Sequence, residues 1–351
     1  YNLDILEKYY EEITENEKLS NIEKVRLLLD YCKKYGTLPF SHLARSGFVA
    51  VTMLREGVEA GWLDDQAKEG FMERVHTVSH ELGSDAWKVK QDKMSWDNFV
   101  SKYGHLRPGT YDISSPAYSD NPEQFLRPLI ECAKKPSAQS KKVDEWQKQK
   151  KYFFNKLRSN GLDIDDKEFE KFLIEAIEGR EKGKFIFSRS LSKSLSLLIE
   201  EGKNYNLTAD DLANLSLTDL FTTFNLNISD DDKHTFLTNL SKKNLQDRAI
   251  SRACYLPPLL CGPNDFVAFI RTEEKPNFIG TSRITAEAIH LDEGSHEIEI
   301  ENSIVIIPQA DPGYDWLFGQ KILGLITMYG GANSHMAIRA AEFGLSAAIG
   351  V

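Results

Sequence analysis

The chain has 351 residues, 41% of them apolar, and a formal net charge of −10. That is apolar material for two or three packed domains, with no run long and apolar enough to span a bilayer, and the acidic balance argues against nonspecific nucleic-acid binding. Cys32, Cys132, Cys254 and Cys261 are scattered, forming neither a disulfide framework nor a metal spacing, which suits a reducing, cytoplasmic location.

From Leu3 to about Ala133 the pattern is helical. Ile5, Leu6, Tyr9 and Tyr10 recur at helix spacing, a second helix carries Leu27 to Tyr31 and is expected to end near Gly36, and Pro39 to Ala60 reads as a strongly apolar helix. Gly61 and Asp64-Asp65 punctuate it before a helix expected over Gln66 to Leu82, and the Arg107-Pro108-Gly109 and Ser114-Ser115-Pro116 segments read as loops. Lys134 to Lys151, rich in Lys, Gln and Ser, reads as a solvated linker or exposed helix start. The chain is then helical and charged to about Leu245, with helix starts expected at Thr208, Ser216 and Ser229, each a hydroxyl residue followed three positions later by an acid. After about Arg252 the character changes: 266–270, 286–290, 297–300, 303–307 and 322–327 are short β-rich runs, and 349–351 reads as part of another strand. The expected fold class is α+β and multidomain, with a largely α-helical N-terminal and middle region followed by a compact β/α domain. The expected domains are 1–133, helical; 134–245, a charged helical region; and 246–351, the β/α body, with a hinge near Leu245–Pro258.

The most informative segment is Tyr329-Gly330-Gly331-Ala332-Asn333-Ser334-His335, directly before an amphipathic helix. Glycines let a backbone approach an anion closely. Asn333 or Ser334 can cap the helix, leaving free N–H groups and the positive end of the helix dipole pointing outward. A neutral imidazole there can attack a phosphoryl group and carry it covalently. His335 is therefore the candidate nucleophile, with Gly330, Gly331, Asn333 and Ser334 as candidate phosphate contacts. The bland alternative is a capped helix whose histidine is incidental.

These residues resemble the phosphohistidine (swivelling) domain of phosphoenolpyruvate-utilising enzymes: phosphoenolpyruvate synthase, pyruvate phosphate dikinase and rifampicin phosphotransferase. The family pattern is roughly Gly-Gly-x-Thr-Ser/Cys-His-x-Ala-Ile-x-Ala-Arg-x-x-Gly-Ile-Pro-Ala. Gly330, Gly331, Ser334, His335, Ala337, Ile338, Ala340, Gly344 and Ala347 match it, while Asn333 replaces the usual Thr, Ala341 the usual Arg and Ser346 the usual Pro. The resemblance implies that His335 is phosphorylated during turnover and that Arg339, one helical turn later, stands in for the missing Arg as a phosphate contact. Upstream, Lys102-Tyr103-Gly104-His105-Leu106-Arg107-Pro108-Gly109 with Tyr111-Asp112 is similar to the Tyr-Gly-His-Arg segment of rifampicin-phosphotransferase-like synthases.

What the resemblance implies is an ATP-dependent phosphotransferase. ATP and Mg2+ would be bound mainly outside this chain, in an N-terminal ATP-binding domain of the same polypeptide, since both ends of the chain read as cuts. A small-molecule acceptor would receive the group, first the amide nitrogen of L-glutamine, as in the L-glutamine kinases of capsular phosphoramidate biosynthesis; pyruvate and rifamycin are the alternatives. A non-enzyme reading, a helical interaction module with a degenerate carrier domain, is favoured by Asn333, Ala341 and Ser346.

Weaker candidates for acceptor binding are His105 and Arg107, in a Gly/Pro loop, with Asp112 as a partner; Arg107 offers a planar fork for a carboxylate or phosphate, against a loop-fixing role. His42 and Arg45 share a face of the apolar helix. His76 and His80, four apart on one expected helix, have zinc-like spacing but no third ligand, so no metal site is expected.

Overall fold

The computed structural model describes residues 2–133, 135, 141–162, 164–254, 260–267, 275–280, 282–291, 299–310, 312–331 and 334–351, without the side chains of 2, 79, 141–143, 252, 312, 335 and 342. Fourteen helices are described: α1 Asn2–Thr14, α2 Asn21–Tyr31, α3 Leu38–Glu59, α4 Asp65–Met72, α5 Val78–Lys90, α6 Trp96–Tyr103, α7 Pro122–Phe125, α8 Arg127–Cys132, α9 Lys141–Ser159, α10 Asp166–Lys203, α11 Ala209–Ala213, α12 Leu217–Phe224, α13 Asp230–Ala253 and α14 His335–Phe343. Five strands are described: β1 Asn277–Ile279, β2 Ala288–His290, β3 Ile304–Gln309, β4 Gly324–Tyr329 and β5 Ser346–Ile349. The architecture is broadly α+β, as expected.

The chain forms two compact units. The first comprises Tyr1–His105 and Leu129–Ser194; the second comprises Leu106–Pro128 and Leu195–Val351. These borders differ from the expected 1–133, 134–245 and 246–351, and the reason is packing between distant segments. In the first unit Trp146, Phe153 and Phe154 of α9 and Phe169 and Leu173 of α10 share one core with Leu54 of α3 and Phe71 of α4. Trp146 is fully buried, so α9 is an integral helix of this unit from soon after its start. Its indole N–H donates to Glu170 Oε1 at 2.9 Å, and Lys150 and Arg74 also pair with that carboxylate. Burial works against the charged form of Glu170, but these donors outweigh it and hold the carboxyl below its usual range.

Two expected helices break differently. The chain stays helical from Asn21 to Glu59, because the six residues Cys32–Thr37 are π-wound and Leu38 N–H bonds to Lys33 O. A π-turn shifts the hydrogen-bond register just before Pro39, which has no N–H to give. Gly36 does not stop the helix; a Cβ there would lie 2.7 Å from Phe187 Cβ, so it lets α10 approach closely. The helix expected over 66–82 is two helices, α4 and α5, with Thr77 capping the second through His80 N–H. His76 therefore lies in the turn and does not share a helix face with His80.

In the second unit Thr208, Ser216 and Ser229 cap α11, α12 and α13, the first two as full capping boxes with Asp211 and Asp219. α13 runs through the expected hinge to Ala253, since no helix breaker precedes Pro257; Leu245 and Ile250 are exposed there, and 255–259 lie outside the described residues. The strand order is β1-β5-β4-β3-β2; β2 to β5 are parallel and β1 is antiparallel at the edge. The expected runs at 286–290, 303–307 and 322–327 correspond to β2, β3 and β4. At 266–270, Phe266 instead ends a 3-10 turn, where Asp265 accepts from the N–H groups of Cys261 and Gly262, and 268–270 lie outside the described residues. Of the expected run at 297–300, residues 297 and 298 lie outside the described residues, and 299–300 are not strand. A 3-10 segment, Pro312–Gly319, crosses from β3 to β4, and α14 crosses from β4 to β5 and packs on that segment. Two successive crossovers in the same direction across a parallel sheet fall on one face.

Candidate functional site

β4 ends at Tyr329 and the chain turns at the carboxyl ends of three parallel strands, the edge of an open α/β sheet where ligands bind. Gly330 makes the turn with φ +141°, and a Cβ there would meet Ala310 Cβ at 2.8 Å and Ile349 Cγ2 at 3.0 Å. Only glycine satisfies both the dihedral and the space. Gly331 is exposed, with open space where a Cβ would stand.

Ser334 is the N-cap of α14: φ is −70° and ψ 157°, and its hydroxyl accepts from Ala337 N–H at 3.3 Å. Ser334 N–H bonds to Gly331 O at 2.9 Å and Ile338 N–H to Ser334 O. His335 opens the helix at its first position. The N–H groups of His335 and Met336 are left facing out of the helix end, as in any first turn. Asn333 lies outside the described residues, and so does the His335 side chain. Met336, Ala337 and Ala340 are buried against the body, and Gly344 ends the helix in the left-handed conformation (φ +68°).

Arg339, the expected phosphate contact, has an acidic neighbour on the 3-10 segment. Its side chain is buried, with Nε 3.5 Å from Asp315 Oδ2. The guanidinium lies over the rings of Phe343 and Phe318, at 4.7 and 5.7 Å. The helix presents this side chain to the 3-10 segment. Asp315 was not a sequence candidate, because nothing local marks it as a partner of Arg339.

The weaker candidates separate. His42 and Arg45 are exposed on α3 in the first unit. His105 ends the same unit's first segment. Its Nε2 is 3.2 Å from Phe185 O, so that nitrogen donates and carries the proton; its Nδ1 is buried without a hydrogen-bond partner. Burial, with the Arg189 charge nearby, pushes the imidazole down from 6.5 to about 4, so it is neutral at ordinary pH.

Arg107 belongs to the second unit, is 2% exposed and donates to Ser115 O and, at 2.7 Å, to Ser196 Oγ. Burial lowers its pKa, against the raising influence of Asp120 and Asp112. Asp112 accepts from Ser114 N–H at 3.0 Å and Ser114 Oγ at 2.8 Å, closing a turn. Both side chains fix the loop in this conformation. Among the described residues no group of three or more His, Cys, Asp or Glu stands together as metal ligands, and no helix is long and apolar enough to cross a membrane.

No curated protein matches the chain. Residues 298–351 match the family described as PEP-utilising enzyme, mobile domain, so the Gly330–Ser334 turn and α14 lie inside the matched segment. The match supports a likeness to the mobile domain of PEP-utilising enzymes over this C-terminal segment.

Proposed function

We propose that the chain is the carrier and acceptor part of an ATP-dependent phosphotransferase, in which His335 takes a phosphoryl or pyrophosphoryl group and passes it to a small molecule, first the amide nitrogen of L-glutamine. What carries the reading is His335 at the first position of a helix capped by Ser334, inside the segment matched to the mobile domain. An imidazole nitrogen attacks phosphorus; the N–P bond forms as the P–O bond to the donor breaks, and the leaving oxygen keeps the electron pair. The helix mouth offers backbone N–H groups and partial positive charge to the phosphoryl oxygens. In the second step the acceptor atom attacks phosphorus, the N–P bond breaks, its electron pair returns to the ring, and the acceptor gives up a proton. One imidazole cannot face two distant pockets at once, so the carrier, assigned to residues 246–351, moves between them.

ATP and Mg2+ belong to an N-terminal domain of the same polypeptide in this reading. The described residues offer no metal-ligand group, and the sequence has no glycine-rich phosphate loop with its lysine; no step here runs through either. The helical first unit supports a glutamine-type acceptor domain over a pyruvate-binding (β/α)8 barrel, which needs about 250 residues of alternating strand and helix. Rifamycin, a bulky apolar ligand, calls for a wide apolar pocket. A second reading, a degenerate carrier in an interaction module, is favoured by Arg339 being locked to Asp315.

The test is the intact polypeptide with ATP and candidate acceptors, followed by phosphorus NMR and by label stability. An acid-labile, base-stable label lost in His335→Ala, with a nitrogen–phosphorus product from glutamine, is the expected result. Phosphoenolpyruvate formed from pyruvate would replace the acceptor, and no label at all would favour the second reading.

A further inference from the structure

Arg189 lies half-buried on α10 in the first unit, and no acid among the described residues pairs with it. This sets it apart from Arg74 and Arg158 of the same unit, which pair with Glu170 and Asp166. The chain is not short of acids, with 53 Asp and Glu against 43 Lys and Arg. The guanidinium lies over the Tyr10 ring of α1, 4.3 Å from its centroid. One face of the planar fork is thus covered. Its N–H groups meet no acceptor among the described residues, yet none of them is sealed from solvent. One turn earlier on the same helix, Phe185 meets the His105 ring edge to face at 4.6 Å, and its carbonyl accepts from His105 Nε2. The Arg189 charge reaches that ring and, with burial, keeps it neutral. The turn carrying His105 is fixed from behind. Tyr103 packs on Phe185, and Tyr103 OH and Lys102 Nζ donate to the buried Asp85 Oδ2 at 2.9 and 2.7 Å.

We propose that Arg189, braced on Tyr10, is a binding site in the first unit for the carboxylate of a small-molecule acid, the phosphoryl acceptor. The proposal rests on the acceptor reading above and narrows it to a substrate class, since L-glutamine and pyruvate each carry one carboxylate. A charge partly withdrawn from water is costly until an opposite charge meets it. A guanidinium takes a carboxylate through two parallel N–H bonds, and a ring beneath it holds the plane of the fork. One guanidinium balances one carboxylate. A phosphate dianion calls for further cations, and Lys102, which precedes the His105 turn, is already held by Glu81 and Asp85. The neutral His105 ring adds no second positive charge. For L-glutamine this anchor holds the α-carboxylate and leaves the side-chain amide, the reacting end, free.

The test is calorimetric titration of the intact polypeptide with L-glutamine, with pyruvate, and with L-glutaminamide, in which a neutral amide replaces the α-carboxylate. Arg189→Met is expected to weaken L-glutamine binding about tenfold or more, with Arg189→Lys in between, because a charge-assisted pair is lost. L-Glutaminamide should bind the native protein more weakly than L-glutamine does, and Arg189→Met should not weaken it further. Equal losses for both ligands would make Arg189 a prop of the fold and overturn the site. So would failure of both acids to bind the native protein at millimolar concentration. Inorganic phosphate displacing L-glutamine at equal concentration overturns the carboxylate assignment. Pyruvate binding alone, with the same loss in Arg189→Met, keeps the anchor and changes the acceptor. NMR locates the ligand: a carboxylate on Arg189 offsets the charge acting on His105, so the ring should titrate above its unliganded value of about 4. Binding that leaves the His105 signals unmoved overturns the placement. If the native protein binds the acid through Arg189 but ATP puts no label on His335, the phosphohistidine reading falls and the carboxylate site stands.

Discussion

Arg339 and Asp315 form a buried ion pair, Nε to Oδ2 at 3.5 Å, which ties α14 to the 3-10 crossover. The side chains are 8% and 4% exposed, and removal of one partner leaves the other charge in a dry site. Arg339→Met is expected to destabilise the protein by about 2–4 kcal/mol in urea unfolding. Labelling of His335 in the protein that remains folded should be little changed. A variant of full stability that labels slowly would instead return Arg339 to the phosphate site.

The turn before α14 has a conformational demand that can be measured. Gly330→Ala forces a Cβ against Ala310 and Ile349 at φ +141°, and a loss of about 2–3 kcal/mol is expected by thermal or urea unfolding. Ser334→Ala removes a cap hydrogen bond and should cost about 1 kcal/mol, with faster amide exchange confined to the first turn of α14.

His105 sets a pH window. Its folded pKa of about 4 lies below the ordinary 6.5, so between these values the unfolded chain binds a proton that the native protein does not. Stability is therefore full above pH 6.5 and falls as pH drops toward 4. NMR should find the His105 ring untitrated through pH 6, and His105→Gln should flatten stability across this window. A ring titrating near 6.5 would contradict its burial.

Glu170 acts in a more acidic range. Its carboxyl is held below the usual 4.5 by Trp146, Arg74 and Lys150 despite burial, so its contribution is present above pH 4.5 and is lost as pH falls through the lowered native value. Glu170→Gln should lower stability at pH 7 and weaken the acid dependence below pH 4.5. Equal acid sensitivity in both proteins would place the effect elsewhere.

The local parts of this protein were written in short stretches of sequence. Thr208, Ser216 and Ser229 mark helix starts because a hydroxyl and an acid three residues on satisfy free N–H groups without help from the rest of the chain. The turn at Gly330 and the Ser334 cap are of the same kind, which is why the candidate site was legible before any packing was known. Tertiary structure decided what depends on partners far apart in the chain. It drew α9 into the first core through Trp146, carried a helix past Gly36 and Pro39 by π-winding, and turned Arg339 onto Asp315. It also assigned Arg107 and its loop to the second unit. A side chain's type states what it can bond; which partner it reaches is fixed only when burial makes every other choice costlier.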